Sequence, residues 1–144
     1  MTKPMPTTSR SLPIALLRAR EKVMGPIRAM LSDVDITEQQ WRVMRVLNEH
    51  GASEPTRIAE DACLLLPSLT RILQKLGEKN LIVRARDEKD RRKQVVEITE
   101  EGRGLIAANL PTSLALLDDV REKMGAERYD ALLDLLNELD RIDG

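Results

Sequence analysis

At 144 residues and 42% hydrophobic composition, the chain has the length of one domain and enough apolar content for a core. One Trp, one Tyr and no Phe make that core aliphatic, and no apolar run approaches the roughly 20 residues of a membrane span. A single Cys rules out an internal disulfide. A single His leaves no pair for a metal and no nucleophile–base couple, so the pattern speaks against an enzyme and implies no metal and no cofactor. The polar start of the chain lacks an apolar leader region, and with the lone cysteine this points to the cytoplasm.

The net charge of −1 conceals a segregation. Between Pro67 and Lys93, nine cations against four acids give +5, which leaves −6 on the remainder. A basic module on an acidic body favours a polyanionic partner docked one way round.

In chain order, Met1–Ser11 contains Pro4, Pro6 and small hydroxyl residues, and is expected to be a mobile arm. From Leu12 to Leu31, Leu16, Val23, Ile27 and Met30 recur at helical spacing, and Gly25-Pro26 predicts a kink. Arg20 falls within that stripe, either snorkelling or paired with an acid, or kept to meet an anionic ligand. Thr37-Glu38-Gln39-Gln40 has capping-box spacing, and Gly51 is placed to end the helix that follows. Trp41 lies off the edge of its stripe, one turn before Arg45, where it packs under a neighbouring helix or walls a pocket. His50, at the helix end, reads as a cap or a core residue.

A short helix over Pro55–Asp61 is joined by Ala62–Leu66 to a second one beginning at Pro67, the arrangement of a helix-turn-helix. In the second helix Leu69, Ile72, Leu73 and Leu76 share one side, with Thr70, Arg71, Gln74 and Lys75 on the other and Ser68 at the leading end. These are groups able to donate to phosphates and to read base edges. The equally general alternative is an amphipathic helix with a solvated face. Cys63 reads as small core packing, with a redox sensor as the alternative.

Leu81–Arg86 and Gln94–Ile98 are extended in character, and Asp87–Lys93 between them is a charged loop of hairpin length. Placed directly after a helix-turn-helix, such a hairpin is a wing, suited to a phosphate backbone or a narrow minor groove. Thr99-Glu100-Glu101 opens a further helix through Ile106, Leu110, Leu117, Val120 and Met124, with Pro111 expected to bend it. After Gly125 a last helix carries Tyr129, Leu132, Leu135, Leu136, Leu139 and Ile142. The leucine-rich ends predict a dimerisation layer, against the alternative of a monomeric helical subdomain. The fold class is therefore mainly α with a small β-hairpin, a winged helix-turn-helix plus a helical dimerisation layer. Residues 1–144 form one domain, with 12–35 and 100–144 as dimerisation helices and 36–99 as the DNA-binding lobe.

This order resembles the MarR family of bacterial transcriptional regulators. The residues that carry the resemblance are Pro67–Arg71, Leu76–Ile82, the Asp87-Glu88-Lys89-Asp90-Arg91-Arg92 wing and Ile98–Gly102. Ser11-Leu12-Pro13, Ala19-Arg20-Glu21 and Thr37–Val43 are similar to the homoprotocatechuate-degradation repressor subgroup. The resemblance implies a homodimer on palindromic double-stranded operator DNA, released by a small aromatic acid or phenol. It places DNA contacts at Ser68, Thr70, Arg71, Gln74, Lys75, Arg91 and Arg92, with Arg91 entering the minor groove and Asp90 holding the wing's shape. Arg20, Trp41 and Arg45 are its effector-pocket candidates. A winged-helix module that binds another protein is the second reading, separable by the salt sensitivity of phosphate contacts.

Overall fold

The computed structural model describes residues 2–143. Its helices are α1 (Leu12–Ser32), α2 (Glu38–His50), α3 (Pro55–Asp61), α4 (Leu66–Glu78), α5 (Glu100–Met124) and α6 (Ala126–Asp140); strands β1 (Ile82–Arg86) and β2 (Gln94–Ile98) lie between α4 and α5. The chain divides into two compact units, Arg28–Pro111, and Met1–Ile27 together with Thr112–Gly144. The boundaries thus fall inside α1 and α5, next to Pro26 and Pro111, and both helices continue through their internal proline.

Within Arg28–Pro111, local chemistry fixes where each helix starts and stops. The capping box at α2 is complete: the Gln40 N–H donates to Thr37 Oγ1 and the Thr37 N–H to Gln40 Oε1, both at 3.1 Å. Gly51 ends α2 at φ +81°, a conformation that suits glycine. Three other helix ends share one device. The Ile36, Leu64 and Leu81 N–H groups reach back to the Leu31, Ala59 and Leu76 carbonyls at 3.1, 2.9 and 3.0 Å. The residue before each, Asp35, Cys63 and Asn80, has φ of 56°, 55° and 61°. This is the Schellman motif, with a left-handed residue that is usually glycine and an apolar residue after it.

That motif corrects the expectation for Cys63. It is exposed, not core, because it occupies the left-handed position closing α3, while Ala62 before it is fully buried. α4 begins one residue early, at Leu66, so Pro67 is the second helical residue; it still lies among the first-turn positions whose N–H groups need no helical partner. β1 starts at Ile82 because the Leu81 N–H is engaged in closing α4.

The core of this unit is aliphatic apart from Trp41. Val43, Met44 and Leu47 of α2, Ile58 of α3, Leu69, Leu73 and Leu76 of α4, and Ile82 and Val96 of the hairpin are all but inaccessible. The strands pair antiparallel with Ile82 opposite Ile98 and Arg86 opposite Gln94. Ser53 adds a short third rung: its N–H donates to the Val96 carbonyl at 3.0 Å, and its carbonyl accepts the Val96 N–H at 2.8 Å. Thr99 caps α5 by accepting the Gly102 N–H on Oγ1 at 3.0 Å while its hydroxyl donates to the Asn80 carbonyl at 2.8 Å.

The terminal unit is helical, and most of its leucines are not covered, although Leu116 and Leu117 of α5 are half-buried. Leu12, Leu16 and Leu17 of α1, Leu114 of α5, and Leu132, Leu133, Leu135, Leu136 and Leu139 of α6 are exposed. The arm expected over Met1–Ser11 contains a short 3₁₀ turn at Thr8–Arg10, where Arg18 donates to Thr8 Oγ1 at 3.1 Å; Met1 lies outside the described residues.

Candidate nucleic-acid interface

α4 exposes two adjacent rows of side chains. Leu66, Thr70 and Gln74 form one at four-residue spacing, and Pro67, Arg71 and Lys75 the other. All six are exposed, whereas Ser68 is half-buried. Arg71 and Gln74 extend into solvent, and Lys75 lies 3.8 Å from Glu78 in a weak surface pair. Thr70 is more constrained than its sequence position implies: its hydroxyl donates to the Leu66 carbonyl at 3.1 Å within the helix. Its proton is therefore engaged, and a phosphate, which only accepts, gains little from it.

The wing is braced by its own acids. Asp87 Oδ1 accepts the Lys89 N–H at 2.8 Å, and the Asp87 N–H donates to the Lys93 carbonyl at 2.9 Å. Asp90 Oδ1 accepts both the backbone N–H and the Nε of Arg92 at 3.1 Å. The Arg92 guanidinium, then its backbone N–H, and further Lys93's charge hold the Asp90 carboxyl below its ordinary pKa. Arg86 donates to the Arg91 carbonyl at 2.9 Å and fixes the tip from the strand side. The two tip arginines thus differ. Arg92 is folded back on Asp90, whereas the Arg91 guanidinium is exposed and, among the described residues, unpaired.

A groove of about 450 Å³ on the hairpin is lined by Arg84, Ala85, Arg86 and Gln94. Arg84 and Arg86 were not singled out from the sequence. Their two-residue spacing on one strand, which puts both on one face, is the signal that marks them. A second groove of about 490 Å³ runs past Arg28, Asp35, Thr37, Gln39, Lys75 and Lys79. Its cations are largely answered, by Arg28–Glu38 at 2.9 Å and Lys79–Asp35 at 3.6 Å. It leaves little uncompensated charge for a ligand.

The effector candidates are disposed unequally. Trp41 is buried and Arg45 exposed on the same helix, one turn apart. Arg20 was expected as a cation drawn into an apolar stripe; it is exposed, and it does not lack a partner. A helical stripe shows which residues share a side, but burial requires something packed on that side. The buried cationic nitrogen without a hydrogen bond, among the described residues, is instead Arg42 Nε, beside Trp41 in sequence. Among the described residues no cluster of three or more His, Cys, Asp or Glu side chains could hold a metal, and no helix is long and apolar enough to cross a membrane.

The model of the MarR family matches residues 36–94, from just before α2 to the first residue of β2. The chain is 38% identical over 141 residues to the HTH-type transcriptional regulator FarR of Neisseria gonorrhoeae, covering 96% of this chain and 97% of the relative. It is 35% identical over 128 residues to the homoprotocatechuate degradative operon repressor of Escherichia coli, covering 89% and 86%. Among solved structures, NadR in complex with 4-hydroxyphenylacetate superposes with a TM-score of 0.84 at 36% identity, over 98% of this chain and 100% of that one. CouR bound to a 23-mer DNA duplex superposes with a TM-score of 0.80 at 29% identity, over the same shares. A winged helix-turn-helix with a cationic wing, joined to leucine-rich terminal helices and matched over nearly its whole length by named transcriptional regulators, belongs to the MarR family.

Proposed function

We propose that the chain is a homodimeric repressor that holds a palindromic double-stranded operator and releases it when a small aromatic acid or phenol binds. It acts in the cytoplasm by binding rather than catalysis, and without a cofactor. The observation that carries this reading is the pairing of an exposed Arg71–Gln74–Lys75 face on α4 with a braced wing that leaves Arg91 free. Arg71 and Gln74 serve base edges, Ser68 and Lys75 position the helix, Thr70 faces the groove through its methyl, and Arg91 enters the minor groove, supported by Arg92 through Asp90. Residues 36–99 form the DNA-binding lobe, and the exposed leucines of 12–35 and 100–144 assemble the dimer. Two recognition helices would then sit roughly 34–36 Å apart, one turn of duplex.

The relatives support the effector class. One carries homoprotocatechuate degradation in its name, and NadR was solved with 4-hydroxyphenylacetate. Arg45, exposed on α2, is a candidate cation for such a carboxylate, and Trp41, buried one turn before it, is the candidate aromatic residue; Arg20 on α1 is a candidate cation in its own right. Such a ligand drives release only if it binds the DNA-incompetent state more tightly than the competent one.

Footprinting on the DNA flanking the protein's own gene, with and without a panel of aromatic acids, tests this function. The expected result is a two-fold symmetric protected segment that fades with rising salt and with one of the acids. Absence of any protected segment at low salt would leave the protein-interaction module in its place. Calorimetric titration of wild type and Arg20→Ala tests the pocket; equal affinities would remove Arg20 from it.

A further inference from the structure

Leu65 and Leu66 are out of keeping with the rest of α4's leucines. Leu65 is 77% exposed and Leu66 45%, at the leading end of α4, whereas Leu69, Leu73 and Leu76 of the same helix are buried. Leu66 heads the row that continues through Thr70 and Gln74, and Leu65 precedes it as the N-cap, where its side chain makes no capping bond. Two adjacent leucines in water at the tip of the proposed recognition helix are a surface in want of an apolar partner.

The surroundings identify that partner. The patch continues directly into Arg71, Gln74 and Lys75, whose charge and donors complement a polyanion. The residues at the leading end of a recognition helix are those that reach base edges. In the major groove the one apolar group that base edges present is the 5-methyl of thymine. Thr70 strengthens the match, because its hydroxyl proton is engaged by the Leu66 carbonyl and its methyl remains as its distinctive group.

We infer that Leu65 and Leu66 are specificity-determining residues that pack on thymine methyl groups, so that each operator half-site carries thymine under the leading end of α4. The recognition face is then divided: an apolar end reading methyls, and a polar end of Arg71 and Gln74 reading hydrogen-bonding edges. This inference rests on the proposed operator binding, and the experiment separates the two.

The DNA segment protected in footprinting is amplified with a fraction of its thymines replaced by uracil, which lacks only the methyl. Bound and free molecules are separated and cleaved at uracil. The wild-type dimer should deplete uracil from its bound fraction at one or two positions in each half-site, with about a fourfold loss of affinity per missing methyl. Leu65→Ala and Leu66→Ala should remove that depletion and bind thymine and uracil operators alike, while Leu65→Met, still apolar, retains it. Both leucines are exposed, so melting temperatures should be unchanged. Tight wild-type binding that ignores uracil everywhere would overturn the inference and leave operator binding standing. The same holds if the alanine variants keep the wild-type pattern. A shift of the monomer–dimer equilibrium in the variants, with no change in uracil sensitivity, would assign the leucines to a protein contact and overturn it as well. Failure of wild type to bind either DNA would remove both readings together.

Discussion

The two compact units use the same residue type to opposite ends. In Arg28–Pro111, Leu69, Leu73 and Leu76 are at most 2% exposed, held between α2, α3 and the hairpin. In the terminal unit, Leu135 is 61% exposed and Ile142, just past α6, 67%, and Leu132, Leu136 and Leu139 of α6 are open too. The helical periodicity that predicts both is the same. What differs is whether one chain supplies the facing surface. Burial at about 25 cal/mol per Å² rewards the lobe during folding, whereas the exposed leucines of the terminal helices would gain it only on association. On the proposed function, the lobe is a finished reading head and the ends are half of an interface.

The sharpest way to break this comparison is to charge the α6 face. Leu135→Glu with Leu139→Glu should give monomers in sedimentation, with operator affinity lower by about 10²–10⁴-fold as the second half-site contact is lost. Dimers of unchanged stability would show that α6 is not the interface. The lobe's tightness has its own test. A Cβ added at Gly102 would lie 2.5 Å from the Leu81 carbonyl oxygen and 2.7 Å from Ile98 Cγ1. Alanine gains about 1 kcal/mol in helix propensity, but the clash involves backbone, so Gly102→Ala should destabilise thermal unfolding by about 1–3 kcal/mol net. A stabilised variant would mean that the lobe is looser than its geometry.

Smaller effects sharpen the comparison inside the reading head. Arg71→Ala should cost about 1–3 kcal/mol on the preferred operator and relax the preference at particular base pairs. Arg91→Ala should weaken all sequences similarly and lower the salt slope by about one. Selection experiments on randomised operators, run at two salt concentrations, distinguish the two; if both variants keep wild-type affinity, the docking mode is wrong. The mildest effect is that of pH on the wing. Because folding depresses the Asp90 pKa, its hold on Arg92 is complete above the ordinary Asp value and is lost as pH falls through the depressed one. Binding near neutral pH should be flat, and the Arg92 amide resonance should titrate below the normal Asp range. A midpoint at or above that range would detach Asp90 from the wing's order.

Much of this architecture is legible in the sequence because its signals are local. Thr37 with Gln40, Thr99 before two glutamates, and the hairpin-length Asp87–Lys93 loop each declare themselves within four to seven residues. Cys63 was less legible: its exposure depends on α3 ending at Asp61, and a shift of one residue moves the left-handed position elsewhere. Asn80-Leu81, with a residue type that tolerates positive φ, carries the same motif more openly. Arg20 and Arg42 show the other limit. Both are cations on amphipathic helices, yet Arg20 is exposed and Arg42 has a buried nitrogen, and no one-dimensional pattern separates them. Arg84 and Arg86 were visible as charge but not as a lined groove, since that requires knowing that Gln94 pairs opposite Arg86.

The bonds inside the wing have a kinetic consequence. Asp87, Asp90 and Arg86 already fix the loop, and Ser53 ties the middle of β2 to the turn before α3. A tip ordered beforehand loses little conformational freedom when it meets the duplex, so association needs no folding step after encounter. On-rates should follow ionic strength alone, as for a rigid charged body steered by its field. Where the spacing or width of a site does not suit this lobe, the duplex must bend or narrow to meet it. The stiffness of the DNA then enters the choice of operator at base pairs that no side chain touches.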